Sequence, residues 1–416
     1  MKKAVPYISW LSLLGAIACA FAIPYVTVLK PLFLALLLVN LVLPFVCYKG
    51  YGKVALVVCR LLVGGLFIFS SFTKGVDPLG TKYKILDYLA AYGMTWLNDF
   101  ALVLSIGMIL AEFIVGICLM TNIFPRLAVL GATLLMAFFT TTTLFDALYD
   151  LVPDCGCFGT AIKMTNWQTF YKNLVIDAVL IPLIMNNKSL VNSRLTWRKQ
   201  FVVGCLYAIA FLVFEIYNYR HLPVIDFMNW KVGKQMKTES AESPRIYLKY
   251  RNKATGELQE YLSPDYPWND SVWMSQWEFV EQRTEGGDNY LGFSALDEDG
   301  NDVTDMILNT ENLLMFTSHD LSKVTEFDWE RIKVITEDAE DHDFTVVWAV
   351  ADEPKLVDSL RNEFDFFNEV YYGDALEIKT IVRYNPGLIW LDNGLVKEKW
   401  SAVDFPRGKK LEQMFN

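Results

Sequence analysis

The sequence contains little cysteine and histidine, the residues on which disulfide scaffolds and many metal sites depend. Its 416 residues include seven cysteines and three histidines. Seven cysteines in a chain of this length are too few for a disulfide framework. Five of them (Cys19, Cys47, Cys59, Cys118 and Cys205) lie inside apolar runs, which is typical of small buried hydrophobic side chains. No cysteine follows Cys205, so the second half of the chain has no dithiol chemistry of its own.

Acidic residues are scarce in the first half of the chain and abundant in the second. Residues 1–220 contain 9 Asp and Glu beside 17 Lys and Arg, whereas the remainder contains 38 beside 20. The acidic second half would be repelled by phosphate, which excludes a nucleic-acid-binding protein. The first half contains apolar runs of about 18–20 residues, the length that a helix needs to cross about 30 Å of hydrocarbon. A soluble cytosolic enzyme is therefore excluded, and the lipid bilayer is the first partner that we predict.

Seven apolar spans are predicted in the first half. They are Val5–Ile23, Pro31–Tyr48, Val54–Phe72, Ala101–Met120, Leu127–Phe145, Leu174–Met185 with its flanks, and Phe201–Tyr219. Two interpretations of Met1–Ala22 stay open. Two early lysines and the sequence Ala20-Phe21-Ala22 fit a cleaved signal peptide. The length of the span and the second span that follows at once favour an uncleaved anchor.

Lysine and arginine residues in the short loops predict which side of the membrane each segment faces. The loop Asn186–Gln200 contains four of them, which places it on the inner side. With the N-terminus also inside, seven spans place the loop around Cys155 and everything after Tyr219 outside. The prediction is a multi-pass membrane protein whose C-terminal domain lies outside, which in a bacterium is the periplasm or the outer surface. The segment Thr73–Asp99 is predicted to be a helix that lies at the membrane interface.

The second half is predicted to contain a β-rich segment and then an α/β domain. One hairpin is predicted from Arg245–Arg251 and Leu258–Leu262, and another from Tyr290–Leu296 and Asp302–Ile307. Residues 312–416 alternate strands and helices and end in a hairpin and a short helix. The fold class is thus an all-α membrane bundle followed by a soluble α/β domain. The predicted domains are 1–53 (two N-terminal helices), 54–187 (a four-helix core), 188–225 (a loop and the seventh helix), 226–311 (β-rich) and 312–416.

The sharpest local feature is the loop Asp154-Cys155-Gly156-Cys157-Phe158-Gly159 after a predicted span. A disulfide between Cys155 and Cys157 would close a small, strained ring, and strain makes a disulfide easier to reduce. Gly156 supplies the backbone freedom that such a ring needs. This pattern favours a redox-active pair. Two alternatives stay open: a pair that is inert or structural, and a metal site, for which the two thiolates lack further ligands.

Two charged residues lie inside predicted spans, where ionisable groups are functional-site hypotheses by default. Arg60 and Glu112 are on neighbouring spans, each about 9–12 Å from the inner face at a rise of about 1.5 Å per residue. A pairing of Arg60 with Glu112 is therefore geometrically sensible. The pair is interpreted either as part of a functional site or as a structural pair in which Arg60 extends towards the inner face.

The first-half motifs resemble a known group of membrane proteins. The stretch from Arg60 through Gly64, Phe67 and Ser70-Ser-Phe-Thr-Lys74 to Asp77-Pro78 resembles the opening of DoxX-like membrane proteins. Glu112 with Gly116 continues that pattern. The loop Cys155-Gly-Cys-Phe-Gly159 resembles the methylamine-utilisation MauE branch of that superfamily. The resemblance covers about residues 54–187 and implies a four-helix core in a bacterial inner membrane.

The resemblance also suggests a chemistry. MauE proteins are linked to maturation of a disulfide-rich periplasmic dehydrogenase subunit, and other relatives are linked to quinone-coupled sulfur oxidation. A quinone is therefore the only cofactor that we consider, and a metal is not expected. The combination of four helices and a cysteine pair is similar in outline to vitamin K epoxide reductase. That enzyme uses a Cys-x-x-Cys pair, whereas here one residue separates the cysteines. The candidate catalytic residues are Cys155 and Cys157, with Asp154, Gly156, Phe158, Gly159, Arg60, Glu112 and Lys74 as supporting residues.

Residues 312–416 resemble a thioredoxin-like fold. Asn385-Pro386-Gly387 precedes the predicted strand Leu388–Leu391, where that fold has its cis-proline. The Cys-x-x-Cys of the fold would follow the strand Leu313–Thr317, but that place reads Ser318-His319-Asp320-Leu321. The resemblance therefore implies a thioredoxin-like domain without redox cysteines, which could bind a partner.

Two functions from different classes stay open. The first is thiol–disulfide redox chemistry at Cys155 and Cys157, with a periplasmic thiol protein as partner and a quinone as electron carrier. The second is a non-enzymatic assembly or scaffold factor whose thioredoxin-like domain binds a periplasmic partner. Whether the chain is an enzyme depends on which of these is correct. A small-solute transporter ranks last, because only Arg60 and Glu112 suggest it and no inverted repeat is visible.

Overall fold

The chain folds into two compact units, Met1–Phe227 and Met228–Asn416. Each unit is described by itself. Most of the predicted first span, together with Asp154 and Cys155, lies outside the described residues. The computed structural model describes residues 11–16, 29–47, 49, 51–152, 156–162, 164–187, 190, 193–236, 245–253, 255, 257–262, 273, 276–285, 293–364, 366 and 368–415.

The first unit is helical. Five of its helices are long and apolar enough to cross a membrane, so the chain is a multi-pass membrane protein in contact with lipid. These five correspond to the last five predicted spans. The second predicted span is a helix whose apolar part, Pro31–Val46, is shorter. In chain order the helices are α1 (Leu29–Cys47), α2 (Lys53–Val76), α3 (Pro78–Ala91), α4 (Ala101–Thr121), α5 (Pro125–Tyr149), α6 (Asn166–Met185) and α7 (Trp197–Arg220).

Helices α2 and α4 approach each other closely at two glycines. A Cβ atom on Gly64 would lie 2.9 Å from the carbonyl oxygen of Gly116. A Cβ atom on Gly116 would lie 2.9 Å from the backbone nitrogen of Ile68. Small residues at a contact of this kind allow helix backbones to pack directly on each other in a membrane, where van der Waals contact is a main source of attraction. The two glycines therefore fix the spacing and register of α2 and α4.

The segment predicted to lie at the interface is divided among the end of α2, helix α3 and a short 3₁₀ helix at Thr95–Phe100. Thr73 and Lys74 belong to α2, which continues to Val76, and both side chains are buried. The prediction was wrong for these residues because α2 runs four residues beyond its predicted end at Phe72. Helix α3 begins after Asp77, whose Oδ1 accepts a hydrogen bond of 2.9 Å from the backbone N–H of Gly80. This N-cap satisfies a backbone donor that the first turn leaves free, and so α3 starts as a separate helix.

The second unit contains two β-sheets. A three-stranded antiparallel sheet has the order β2-β1-β3, and a five-stranded mixed sheet has the order β6-β5-β4-β7-β8. The strands are β1 (Arg245–Asn252), β2 (Leu258–Leu262), β3 (Trp277–Glu285), β4 (Leu313–Ser318), β5 (Thr345–Val350), β6 (Glu369–Tyr372), β7 (Gly387–Asp392) and β8 (Leu395–Ser401). The helices are α8 (Thr304–Asn309), α9 (Glu326–Glu340), α10 (Pro354–Phe364), α11 (Ala375–Ile381) and α12 (Lys409–Phe415).

The predicted hairpin of Arg245–Arg251 and Leu258–Leu262 is confirmed by the antiparallel pairing of β1 with β2. The second predicted hairpin is wrong in its described part, and residues 290–292 of its first strand lie outside the described residues. Leu296 and Asp302 form only an isolated bridge, and α8 follows. The Asp302 carboxylate accepts a hydrogen bond of 2.9 Å from the backbone N–H of Thr304. A local side-chain bond of this kind turns the backbone away from a strand ladder.

Strand β4 lies at the centre of the five-stranded sheet, and its first four residues are apolar. All six of its residues are buried, which is typical of a strand covered on both faces. It runs parallel to β5 and antiparallel to β7. The peptide bond before Pro386, just ahead of β7, is cis. The turn Asn393-Gly394 between β7 and β8 has positive φ at both residues, as two-residue hairpin turns require.

We predict that Gly64→Ala destabilises the helical unit, whereas Gly65→Ala does not. The new Cβ at position 64 would force α2 and α4 apart, and overpacking of this kind costs about 1–3 kcal/mol. Gly65 is the matched control, because a Cβ there would meet no atom within 4 Å. The measurement is the apparent melting temperature of the two purified variants in the same detergent. Equal melting temperatures for the two variants would contradict the proposed role of Gly64.

Candidate functional site

The helical unit contains a cavity of about 580 Å³. This volume lies within the range of small-molecule sites, which is about 300–1,000 Å³. Residues of α2 to α6 form its largely apolar wall. The apolar lining includes Leu66, Phe67, Ile85, Leu89, Val103, Leu104, Met108, Leu135, Met136, Phe138, Phe139 and Ile176.

Five residues form a polar cluster in the wall of this cavity: Ser70, Lys74, Glu112, Cys157 and Lys172. They come from α2, α4, α6 and the loop between α5 and α6. A few polar groups in an apolar pocket are the usual means by which a protein orients a ligand. The cavity with its polar cluster is therefore the candidate functional site.

A buried ion pair lies at the centre of the polar cluster. The ammonium nitrogen of Lys74 is 2.5 Å from Oε1 of Glu112, and their side chains are 6% and 1% exposed. Ser70 Oγ lies 3.0 Å from the other carboxylate oxygen, Oε2. The Lys74 ammonium also lies 5.2 Å from the ring centre of Phe139. Both oxygens of the carboxylate therefore have a partner, as a buried charge requires.

Ser70 also connects the ion pair to the cysteine loop. Its hydroxyl donates to the backbone carbonyl oxygen of Cys157, at 2.9 Å, or alternatively to Glu112. The loop packs directly on α2, since a Cβ on Gly159 would lie 3.1 Å from the carbonyl oxygen of Thr73. Gly156 and Gly159 both have positive φ, at 61° and 56°, a conformation that glycine adopts without strain. These contacts hold Cys157 in the cavity wall.

The sulfur of Cys157 is disulfide-bonded. Cys59, Cys118 and Cys205 carry free thiols, so none of them is its partner. Cys155 lies outside the described residues, and its role stays a prediction. Cys59 and Cys118 are buried in apolar surroundings, as the sequence predicted.

Phe158 places an aromatic ring between the loop and two helices. Its ring centre lies 5.5 Å from the ring of Phe69 on α2. The ammonium nitrogen of Lys172 on α6 lies 4.8 Å from the centre of the same ring. A cation over an aromatic face is attracted to the electron density of the ring. Lys172 is thereby held next to the residue that follows Cys157.

The predicted pair of Arg60 and Glu112 is wrong. The Arg60 guanidinium donates instead to the side-chain oxygen of Asn122, at the end of α4. Helices α2 and α4 are antiparallel, and the contact of Gly64 with Gly116 sets their register. Lys74 lies 14 residues after Arg60, or about 21 Å further along α2. Glu112 is level with Lys74, so Arg60 does not reach it and is absent from the described lining of the cavity.

Sequence reasoning missed Lys172. The sixth span was predicted as Leu174–Met185 with flanking residues, and α6 begins at Asn166. Lys172 therefore lies inside a membrane-spanning helix, although it was counted as part of a flank. An ionisable residue within a span is a functional-site hypothesis. That rule would have found Lys172 if the start of the helix had been predicted correctly.

In the second unit, hydrogen bonds fix the segment that follows β4. The side-chain oxygen of Asn385 accepts from the Ser318 hydroxyl at 2.9 Å and from the His319 N–H at 3.0 Å. The amide nitrogen of Asn385 donates to the carbonyl oxygen of Asp320 at 2.8 Å. Asn385, which precedes the cis peptide bond of Pro386 and lies just ahead of β7, thus holds the end of the neighbouring strand β4 in place.

One family model matches the chain. Residues 52–185 match the methylamine utilisation protein MauE, a stretch that begins just before α2 and ends with α6. The chain contains a MauE-like membrane region. The helices that form the cavity and the cysteine loop all lie within that region. No curated protein and no solved structure matches the chain.

We predict that Lys74→Met destabilises the MauE-like region by about 3–5 kcal/mol, the usual cost of leaving a buried charge without its partner. The double variant Lys74→Met, Glu112→Gln removes both charges and is expected to recover part of that loss. Lys84→Met is the control, because Lys84 forms a half-exposed pair with Asp87 at 3.8 Å, worth less than about 1 kcal/mol. Thermal unfolding in detergent measures all three. The role of the pair is contradicted if Lys74→Met melts at the same temperature as Lys84→Met.

Proposed function

We propose that this MauE-like protein carries out thiol–disulfide exchange, with a quinone of the bilayer as electron acceptor. The observation that carries the proposal is the disulfide-bonded Cys157 in the wall of a largely apolar cavity. We propose Cys155 as its partner, because it is only one residue away and Gly156 between them adopts positive φ. A disulfide at an accessible site can be attacked by a thiolate through a mixed disulfide.

The exchange is balanced in atoms and electrons as follows. A dithiol of the partner protein is oxidised to a disulfide while the Cys155–Cys157 disulfide is reduced to two thiols. The two thiols then form the S–S bond again and release two electrons and two protons. A quinone held in the cavity would supply the acceptor for these two electrons and two protons, and its product would be the quinol. The protein returns to its disulfide form after each cycle.

The shape and exposure of the cavity support a lipid-soluble electron acceptor. Val103 on α4 and Phe138 on α5 line the cavity and are also 67% and 58% exposed. Both residues lie in membrane-spanning helices. We infer that the cavity opens between α4 and α5 towards the hydrocarbon of the bilayer. A quinone with an apolar tail would enter by that route, whereas a charged water-soluble acceptor would not.

The second unit supports a role in partner binding. We propose that it is thioredoxin-like and periplasmic, in keeping with the order of the five strands and the cis peptide bond before Pro386. It contains no cysteine, so it would recruit the partner and leave the redox step to Cys157. The matching family is named for methylamine utilisation, and we propose that the partner belongs to that process. We propose an inner-membrane protein of the DoxX-like group that serves a disulfide-rich periplasmic protein.

The absence of cysteine from the second unit also favours a second candidate, a non-enzymatic assembly factor. In that case the residues held by Asn385 at the end of β4 would contribute to a binding surface, and Cys157 would serve structure alone. The two candidates differ in whether the cysteines are needed for partner maturation.

We predict that Cys157→Ser abolishes oxidation of a dithiol peptide by the full chain in lipid nanodiscs, because the reactive sulfur is gone. Cys205→Ser is the matched control, since Cys205 is a free thiol outside the cavity, and it is expected to behave as wild type. Peptide oxidation is followed with a thiol reagent, and the redox state of Cys157 by maleimide gel shift.

Full peptide oxidation by Cys157→Ser would refute the redox function. The assembly candidate is tested in cells that depend on the protein for partner maturation. Maturation that persists in Cys155→Ser, Cys157→Ser and is lost on deletion of residues 226–416 would favour the assembly factor.

A further inference from the structure

Lys172 differs from the other cation of the polar cluster, because its ammonium group is not engaged by a carboxylate. Within the described part of the chain, its nitrogen has no hydrogen-bond or ion-pair partner, and it lies 4.8 Å from the ring centre of Phe158. Lys74 and Glu112 line the same cavity as Lys172. Glu112 is already occupied, since one oxygen contacts Lys74 and the other contacts Ser70.

The cluster therefore has one positive charge more than Glu112 neutralises. Lys74 is fixed by the carboxylate at 2.5 Å, whereas Lys172 keeps its donors for a group inside the cavity. A desolvated ammonium group without an acceptor is costly. An occupant with a hydrogen-bond-accepting oxygen would remove that cost, and the apolar wall would suit the rest of such a molecule.

Lys172 also lies on the same side of the cavity as the redox-active sulfur proposed above. Phe158 follows Cys157 directly in the chain, and the ammonium nitrogen lies 4.8 Å from its ring centre. Cys157 and Lys172 both line the cavity. An oxygen held by Lys172 would therefore belong to a ring that lies close to the cysteine loop.

We propose that Lys172 is a catalytic residue that binds a quinone oxygen and gives it a proton, while Lys74 serves as a positioning residue for Glu112 and the loop. The inference rests on the proposed function. When Cys155 and Cys157 form their S–S bond, two electrons and two protons leave the thiols. The quinone takes both electrons, one proton from Lys172 and one from a thiol. The remaining thiol proton returns Lys172 to its ammonium form, so the lysine is unchanged after the cycle.

The test uses the full chain in nanodiscs with menadione, a short soluble quinone. Lys172→Met is expected to weaken menadione binding by about 10-fold or more, the effect of losing one hydrogen bond from a charged donor. It is also expected to slow menadione reduction by the dithiol form by about 100-fold, the lower range of general-acid catalysis. Lys172→Arg keeps a donor for the quinone oxygen, but a guanidinium group does not give up its proton. This variant is therefore expected to bind menadione as wild type does and to reduce it more slowly.

The matched control is Lys82→Met on α3. The Lys82 ammonium lies 5.9 Å from the ring centre of Tyr83, but Lys82 is absent from the described lining of the cavity. It is expected to bind and reduce menadione as wild type does. Wild-type rates and affinities in both Lys172→Met and Lys172→Arg would overturn the role of Lys172. Failure of wild type to bind menadione would overturn it as well.

A further measurement separates this inference from the function on which it rests. Exchange between Cys157 and a dithiol peptide is measured without any quinone, in wild type and in Lys172→Met. Exchange at the wild-type rate in Lys172→Met, with menadione reduction lost, supports the inference. If the wild-type disulfide does not exchange at all, the proposed function fails. If exchange is intact and the lysine variants reduce menadione normally, only the role of Lys172 fails.

Discussion

The contact between Lys74 and Glu112 is the interaction on which the membrane site depends. Either charge alone inside a bilayer would cost several kcal/mol, and the two together are tolerated because they lie 2.5 Å apart. That distance requires α2 and α4 to be close. The contact of Gly64 with Gly116 allows the two helix backbones to approach each other. Backbone packing and charge pairing therefore support each other across the same two helices.

The ion pair also organises the chemistry around it. Ser70 reaches both Glu112 and the carbonyl oxygen of Cys157, so the cysteine loop and the carboxylate are held at one point on α2. Lys172 lines the same cavity, and among the described residues no carboxylate contacts its ammonium group. The ion pair, Cys157 and a second cation thus lie in one wall that is otherwise mostly apolar.

Sequence patterns predicted the elements of this protein better than its contacts. The five long spans and strand β4 follow from runs of apolar residues, whose burial does not depend on their exact neighbours. The pairing of Arg60 with Glu112 failed because depth along a helix was estimated without the register of α2 against α4. The second hairpin failed because the hydrogen bond from the backbone N–H of Thr304 to the Asp302 carboxylate competed with strand pairing. The MauE-like loop was found from its short sequence motif. Lys172 was missed because the start of α6 was not predicted correctly.

The sequence by itself determined that the chain crosses a membrane, that its second half is acidic and without cysteine, and that a Cys-Gly-Cys loop follows a span. These properties are local, since each depends on a short stretch of side chains. Only the tertiary structure decided that Glu112 pairs with Lys74 and that Lys172 joins Cys157 in the wall of one cavity. Those contacts depend on the rotation and register of whole helices, which the summed packing of many distant residues sets.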